Sequence, residues 1–152
     1  MPRLRVTFPR LSLPMTPEDM ARTHARAFAG QSRGWSAQEI ADLFQSPLVF
    51  AVGDARAFAL GRAIAGEAEL LTLATDPDHR RLGLAHACLA AFEATAQSRG
   101  ARTAFLEVAA DNTAARALYG VSGYQEIACR TGYYAHADRA AVDALILQKS
   151  FA

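Results

Sequence analysis

The chain has 152 residues, of which 51% are hydrophobic, 20% charged and 9% aromatic, with sixteen basic and fifteen acidic residues balancing to +1. A chain of that length and apolar content builds one packed core without disulfides or a structural metal, which excludes a disordered protein. Its near-neutral charge leaves no footprint for non-specific nucleic-acid binding.

In chain order, Arg3, Arg5 and Arg10 open the sequence, but Pro9 and Pro14 break it before a signal-peptide core can form. Thr16, Pro17, Glu18 and Asp19 read as the cap and first turn of a helix over residues 17–28. Ser36-Ala37-Gln38-Glu39 is a capping box that opens a second helix to about residue 45. The connection from Gly30 to Gly34 is expected to be mobile. Two strands follow, over 48–52 and 56–64, joined at Gly53-Asp54 as a hairpin. Residues 67–75 form a third strand that Asp76-Pro77 ends. Apolar residues at 84, 88, 89, 92 and 96 mark one face of a helix over 83–99, closed by Gly100. A strand over 103–108, a helix over 112–122 and strands over 124–130 and 141–149 complete the chain. This order predicts an α/β, mixed-sheet fold, a central twisted sheet flanked by helices, as a single domain over residues 1–152.

No apolar run approaches the ~18–20 residues of a membrane span. Neither membrane nor nucleic acid is an expected partner, and the expected location is cytoplasmic. Cys88 and Cys129 form no CxxC pair, so zinc-site spacing is absent and no metal is expected. Cys88 and Cys129 read as core, and His24, His79, His86 and His136 as helix or loop surface.

The most informative segment follows the third strand. A basic loop, Asp78-His79-Arg80-Arg81-Leu82, leads into Gly83-Leu84-Ala85-His86 at the start of the long helix. Free N–H groups and the positive end of the helix dipole meet there, an arrangement that suits a phosphate. Gly83 and Ala85 are small enough for a close approach to the backbone, Arg80 and Arg81 add charge, and His86 lies near enough to donate. No G-K-S/T of a Walker loop and no G-x-G-x-x-G of a dinucleotide fold is present. The alternative is a helix start whose arginines are simply solvated.

Arg80-Arg81-Leu82-Gly83-Leu84-Ala85 resembles the Q/R-x-x-G-x-G/A motif of the GNAT family of N-acetyltransferases, between the strand and helix that the family places around it. The resemblance implies a GNAT-like acyl-CoA N-acyltransferase fold with acetyl-CoA as co-substrate. The backbone from Arg80 to His86 would hold its pyrophosphate, and Leu73, Ala74 and Thr75 would pair with its pantetheine arm.

Further on, Glu107 lies in the strand Phe105-Leu106-Glu107-Val108. Either it is buried among apolar neighbours, where burial would tune it for general-base work, or it sits at the strand's exposed end. Asn112 and Tyr119 are two turns apart on one helix face, with ~10.5 Å of rise between them and the small Ala115 midway. Ala114, Leu118 and Val121 are expected to pack on the sheet. Tyr119 lines either an extended ligand or only solvent.

Leu106-Glu107-Val108, Asn112-x-x-Ala115-x-x-Leu118-Tyr119, Gly123-Tyr124 and Arg130-x-x-Tyr133-Tyr134 together resemble the RimI-like branch of the family, the ribosomal-protein-alanine N-acetyltransferases. Trp35-Ser36 and the closing Asp143-Ala144-Leu145 are also similar. This implies Glu107 as general base, Tyr119 as general acid, and Asn112 as a contact to coenzyme A. A backbone N–H near Leu73 or Ala74 would hold the oxyanion, and Tyr133 and Tyr134 would line the acceptor pocket. The acceptor would be a protein N-terminus, that of a ribosomal protein, or alternatively a small-molecule amine or another peptide. A third possibility is an acyl-CoA-binding module without turnover, against which the retention of both Glu107 and Tyr119 argues. Tyr124 stands where the family more often has Phe. No base flanks either cysteine, and G-x-S-x-G is absent, so covalent cysteine and serine-hydrolase routes are excluded.

Overall fold

The structure, a computed structural model, describes residues 15–151. The expectations for Arg3, Arg5, Pro9, Arg10 and Pro14 lie outside the described residues. Helix α1 (Pro17–Ala27) starts at the expected cap, where Thr16 Oγ1 accepts the Asp19 N–H at 3.1 Å and the Asp19 carboxylate accepts the Thr16 N–H at 3.2 Å. Ser36 and Glu39 make the same reciprocal pair at the head of α2 (Ala37–Leu43). These caps satisfy N–H groups that the first helical turn leaves without partners.

Strands β1 (Val49–Asp54) and β2 (Ala57–Ile64) form the hairpin. Its turn is at Ala55-Arg56, not at Gly53-Asp54 as the sequence suggested. The Asp54 carboxylate accepts the Arg56 N–H at 2.8 Å and pairs with its guanidinium at 2.7 Å, which closes the turn there. Gly53 remains in the strand, where a Cβ would collide with the Ala57 carbonyl. Then come β3 (Glu67–Thr75), a short 3-10 turn (Pro77–His79), α3 (Leu84–Ser98), β4 (Thr103–Ala109) and α4 (Thr113–Val121). The last two strands, β5 (Gln125–Tyr134) and β6 (Val142–Ser150), close the chain, with β5 running on past Arg130 to Tyr134.

The six strands lie in the order β1-β2-β3-β4-β6-β5, antiparallel except for the β3–β4 pair. A parallel pair needs a crossover, and α3 supplies it. Helix α3 packs on one sheet face and α1 on the other, so the inner strand β2 is apolar on both sides. Phe58 and Leu60 join Met20, Ile40 and Ala74 under α1 and α2. Ala57, Ala59 and Ala63 face the larger core around Leu84, Leu89 and Phe92 of α3.

Two packing expectations are corrected. Helix α4 turns Ala115, Leu118 and Tyr119 inward, whereas Val121 is 81% exposed and Ala114 faces solvent. Cys129 is exposed because β5 is the outer edge strand, while Cys88 is buried as expected.

The feature that positions the site is the end of the β3–β4 pairing. The two strands are in register only from Glu67↔Thr103 to Leu70↔Leu106. At the same level the β2–β3 register shifts: Gly61 faces Leu70 and Leu60 faces Thr72, leaving Leu71 as an extra, bulged residue. A bulge bends and twists its strand. Beyond Leu71, β3 keeps its partner β2 and parts from β4, which stays paired to β6 through Ala109.

Gly61 lies beneath the rings that fill this level of the core, and a Cβ there would sit 2.5 Å from Phe92 Cε2 and 2.8 Å from Phe50 Cζ. Both rings are buried and cannot yield. Gly61→Ala is therefore expected to lower unfolding stability by about 1–3 kcal/mol, read from urea midpoints.

Candidate active site

Where β3 and β4 part, a cavity of about 850 Å³ opens, floored by residues 70–73 of β3 and 106–109 of β4. One wall comes from His24, Phe28, Arg33 and Trp35, and the other from Asn112, Ala115 and Tyr119 of α4 with Tyr133, Tyr134, His136 and Arg139. Of the residues singled out in the sequence, Leu73, Glu107, Asn112, Tyr119, Tyr133 and Tyr134 meet in this one cavity.

The β3 backbone has a free edge here. The Asp76 N–H donates to the Arg56 carbonyl at 2.7 Å. In an antiparallel ladder the polar groups alternate in direction, so Ala74 and Thr72 also turn theirs to β2. Leu73 and Thr75 turn theirs the other way, towards the side that β4 has left. Of the two oxyanion candidates, Leu73 thus retains a free N–H, and Ala74 is corrected: its backbone is used in the ladder and its side chain is buried under α1.

Beyond the strand, Arg81 (φ 65°) and Gly83 (φ 75°) both adopt the left-handed conformation. Gly83 caps α3 with no side-chain bond, and the first intrahelical bond runs from the Ala87 N–H to the Gly83 carbonyl. The N–H groups of Leu84, Ala85 and His86 therefore have no acceptor within the helix. Arg80, Arg81, Leu82 and His86 are exposed around them, and Arg80 donates to the Ala27 carbonyl at 3.3 Å. This amide cluster does not line the cavity; Leu73 and Thr75 lead from one to the other along β3.

Glu107 is not buried. Ala104, Leu106 and Val108 take the buried face of β4, and Glu107 points out into the cavity. Its Oε1 accepts the Tyr134 O–H at 2.5 Å. Partial burial, reinforced by this bond to Glu107, holds the Tyr134 phenol well above the ordinary tyrosine range. The Tyr133 ring meets Tyr134 edge-on at 5.2 Å, and the Arg130 guanidinium lies 5.2 Å from the Tyr133 centroid. Other charges lining the cavity are paired: Arg33 with Glu39 at 2.6 Å, Glu69 with Arg62 at 2.7 Å and Asp111 with Arg139 at 3.1 Å. Among the described residues, Glu107 has no cationic partner.

Tyr119 is only 7% exposed, and burial raises its phenol well above the usual range. Its ring packs edge-on against Tyr124 at 5.8 Å. Tyr124 in turn donates to Glu93 at 3.2 Å, and Lys149 donates to the same carboxylate at 2.6 Å. Asn112 caps α4 through its side-chain oxygen, which accepts the Ala115 N–H at 3.2 Å and leaves its NH2 and the second lone pair of the oxygen for a ligand.

His24 corrects the sequence reading, which placed it at the surface. It is 2% exposed and lies between the Phe28 ring (4.5 Å) and the Trp35 ring (5.0 Å). Its Nδ1 accepts the Trp35 N–H at 3.1 Å, so Nε2 carries the proton and donates to Thr72 Oγ1 at 3.1 Å. The signal was present: Met20, His24 and Phe28 recur at a spacing of four, the inward stripe of α1. Among the described residues, no three metal-ligating side chains cluster and no helix is long and apolar enough to cross a membrane.

Residues 18–124 match the family model described as acetyltransferase (GNAT) family. Over 86 residues the chain is 41% identical to the ribosomal protein bS18-alanine N-acetyltransferase of Escherichia coli K12, covering 57% of this chain and 58% of that protein. It is 37% identical over 91 residues to the protein of the same name from Haemophilus ducreyi, covering 60% and 63%. The chain thus spans less than two thirds of the length of these curated relatives. The solved ribosomal-protein-S18-alanine N-acetyltransferase of Escherichia coli superposes with a TM-score of 0.78 at 33% identity, over 90% of this chain and 89% of that one. Ard1 from Thermoplasma volcanium, at 23% identity and a TM-score of 0.75 over 91% and 95%, shares the fold.

Burial pushes His24 down to about 4 from its ordinary 6.5, with Arg33 adding to the effect and Glu39 opposing it. As pH falls through that window the unfolded chain takes up a proton that the folded chain does not, so stability declines on acidification. Between pH 7 and pH 5 this contributes a loss of about 2 kcal/mol. Urea midpoints of the wild type are expected to show it, and His24→Phe to flatten that part of the slope.

Proposed function

The chain belongs to the GNAT acetyltransferase family, and from that premise we propose that it transfers acetyl from acetyl-CoA to the N-terminal α-amine of a protein. The acceptor we propose is the N-terminal alanine of a ribosomal protein, the substrate named for its relatives in Escherichia coli and Haemophilus ducreyi. The cytoplasm, where ribosomal proteins are made, is the corresponding location. The observation that carries this reading is the convergence of Glu107, Tyr119 and the free Leu73 N–H on one cavity.

The residues present fit the co-substrate. Left-handed Arg81 and Gly83 and the unpaired amides of Leu84, Ala85 and His86 suit a pyrophosphate, with Arg80, Arg81 and the exposed Leu82 around it. The unpaired backbone of Leu73 and Thr75 suits an amide-bearing arm, and the Asn112 NH2 remains available beside it. Acetyl-CoA, when bound, supplies the activated thioester.

Glu107 takes the proton that the acceptor amine must lose, directly or through a water; an α-amine with a pKa near ~8 asks little of a carboxylate base. Tyr134, bonded to Oε1, holds that carboxylate in place and leaves Oε2 for the amine. The Leu73 N–H faces the negative charge that builds on the carbonyl oxygen, a contribution of about 3 kcal/mol for one such donor. Tyr119 keeps its proton firmly and is the phenol of this cavity that would hand it to the departing thiolate. Tyr133 and Tyr134 from β5 and Trp35 from the α1–α2 connection line the cavity that would receive the amine.

The test is thiol release from acetyl-CoA with three acceptors: a peptide copying an alanine-starting ribosomal N-terminus, its scrambled counterpart, and a panel of small amines. Turnover is expected on the first alone. Glu107→Gln is expected to lower kcat by about 10²–10⁴-fold with acetyl-CoA affinity retained, and Tyr119→Phe by about 10²-fold. Turnover confined to small amines would replace the acceptor. Tight acetyl-CoA binding with no turnover on any acceptor would identify a binding module.

A further inference from the structure

The cavity wall facing Glu107 is made by the connection between α1 and α2, and its anchorage depends on one side chain outside the proposed chemistry. In this connection Gly34 lies so close over α1 that a Cβ would sit 2.8 Å from Ala25 Cα. Arg33 forks onto Glu39 at 2.6 and 3.0 Å and donates to the Gly34 carbonyl at 3.1 Å. Next to it, Trp35 turns its backbone N–H inward to His24 Nδ1 and lays its indole on the same imidazole. The other imidazole nitrogen holds Thr72 Oγ1, which sits on β3 between the bulged Leu71 and the free N–H of Leu73.

We propose that His24 is a positioning residue for the acceptor: it ties the Phe28–Trp35 wall to β3 at the bulge, and so sets acceptor affinity rather than the rate of acetyl transfer. This rests on the acetyltransferase reading above. The imidazole is the side chain that meets all the demands at once. Its two nitrogens, one acceptor and one donor, reach a backbone N–H and a strand hydroxyl in opposite directions, and its flat ring fills the layer between Phe28 and Trp35. Phenylalanine would keep the layer and lose both bonds. Asparagine would keep an acceptor close to the Nδ1 position, and glutamine a donor close to the Nε2 position.

The chain's single tryptophan is the one in this wall, so its emission reports the anchorage without any turnover. In His24→Phe, Trp35 is expected to emit further to the red and to be quenched more readily by acrylamide, with His24→Asn restoring the wild-type signal. In the acetyl-transfer assay, His24→Phe is expected to raise the acceptor KM by about five- to tenfold, as for one or two lost hydrogen bonds. There kcat is expected to stay within about twofold and acetyl-CoA affinity to stay unchanged, with His24→Asn recovering the KM. Should His24→Phe lose cooperative unfolding, His24→Gln removes the Trp35 bond while keeping the reach to Thr72, and the same split is expected of it. An unchanged KM, a fall in kcat at constant KM, or a shielded Trp35 in the variants that lose its bond would overturn the proposal. A wild type without turnover on any acceptor would instead defeat the acetyltransferase reading, and the Trp35 emission would then still decide the anchorage.

Discussion

One extra residue organises this molecule. Leu71 has no partner in β2, and at its level β3 ceases to pair with β4. Here two parallel strands that share a register for four residue pairs separate. The separation leaves main-chain polar groups of β3 without a strand partner, a state that a protein interior tolerates only where a ligand or water satisfies them. An extended, amide-bearing molecule is the complement of such an edge. The helix that must follow β3 to allow a parallel return begins beside that edge, with its own free N–H groups. Strand edge and helix start are therefore consequences of one connection.

Around that opening the ionisable groups divide by environment. Glu107 projects from the end of β4 into the cavity, accessible and held by a phenol rather than by a cation, so its charge is not neutralised by a neighbour. Tyr119 is packed in the core edge-on to Tyr124, where desolvation keeps its proton in place. One carboxylate is thus open to the cavity and one phenol is enclosed in its wall. The paired charges at its rim, Arg33 with Glu39 and Asp111 with Arg139, tie each wall to itself. Among the described residues that line the cavity, Glu107 is a carboxylate without such a partner. Behind Tyr119, the Tyr124 hydroxyl, Glu93 and Lys149 lock α3 to β6. That network depends on the Tyr124 hydroxyl, which a phenylalanine would lack.

Much of this was legible locally. The Thr16 cap, the Ser36 capping box, the bounds of β3 and the glycine-started α3 depend on residues within a few positions of one another, and each appears in the structure where its chemistry requires it. The anion-suited helix start was readable for the same reason, as were the strands that flank it. The hairpin turn was misplaced by two residues because Asp54 uses its side chain to close the turn after itself, which a preference for glycine does not reveal. Spacing also placed Asn112, Ala115 and Tyr119 on one face, but not which neighbouring residues would turn outward with Val121.

What the tertiary structure alone decided was which side of each element meets another. Burial is a property of pairs of elements brought together across the sheet, and no local pattern states which pairs those are. Glu107 sits among apolar neighbours in sequence yet faces open space, because β3 leaves its side at that level. His24, polar and unremarkable in a helix, is buried because Trp35 returns over it from a capped second helix and Thr72 meets it from β3. Cys129 is apolar in a strand yet exposed, because β5 has nothing beyond it. The sequence by itself determined the elements, their caps and the chemistry available at each position. Long-range register, and above all the bulge at Leu71, decided which of those groups face one another across a cavity.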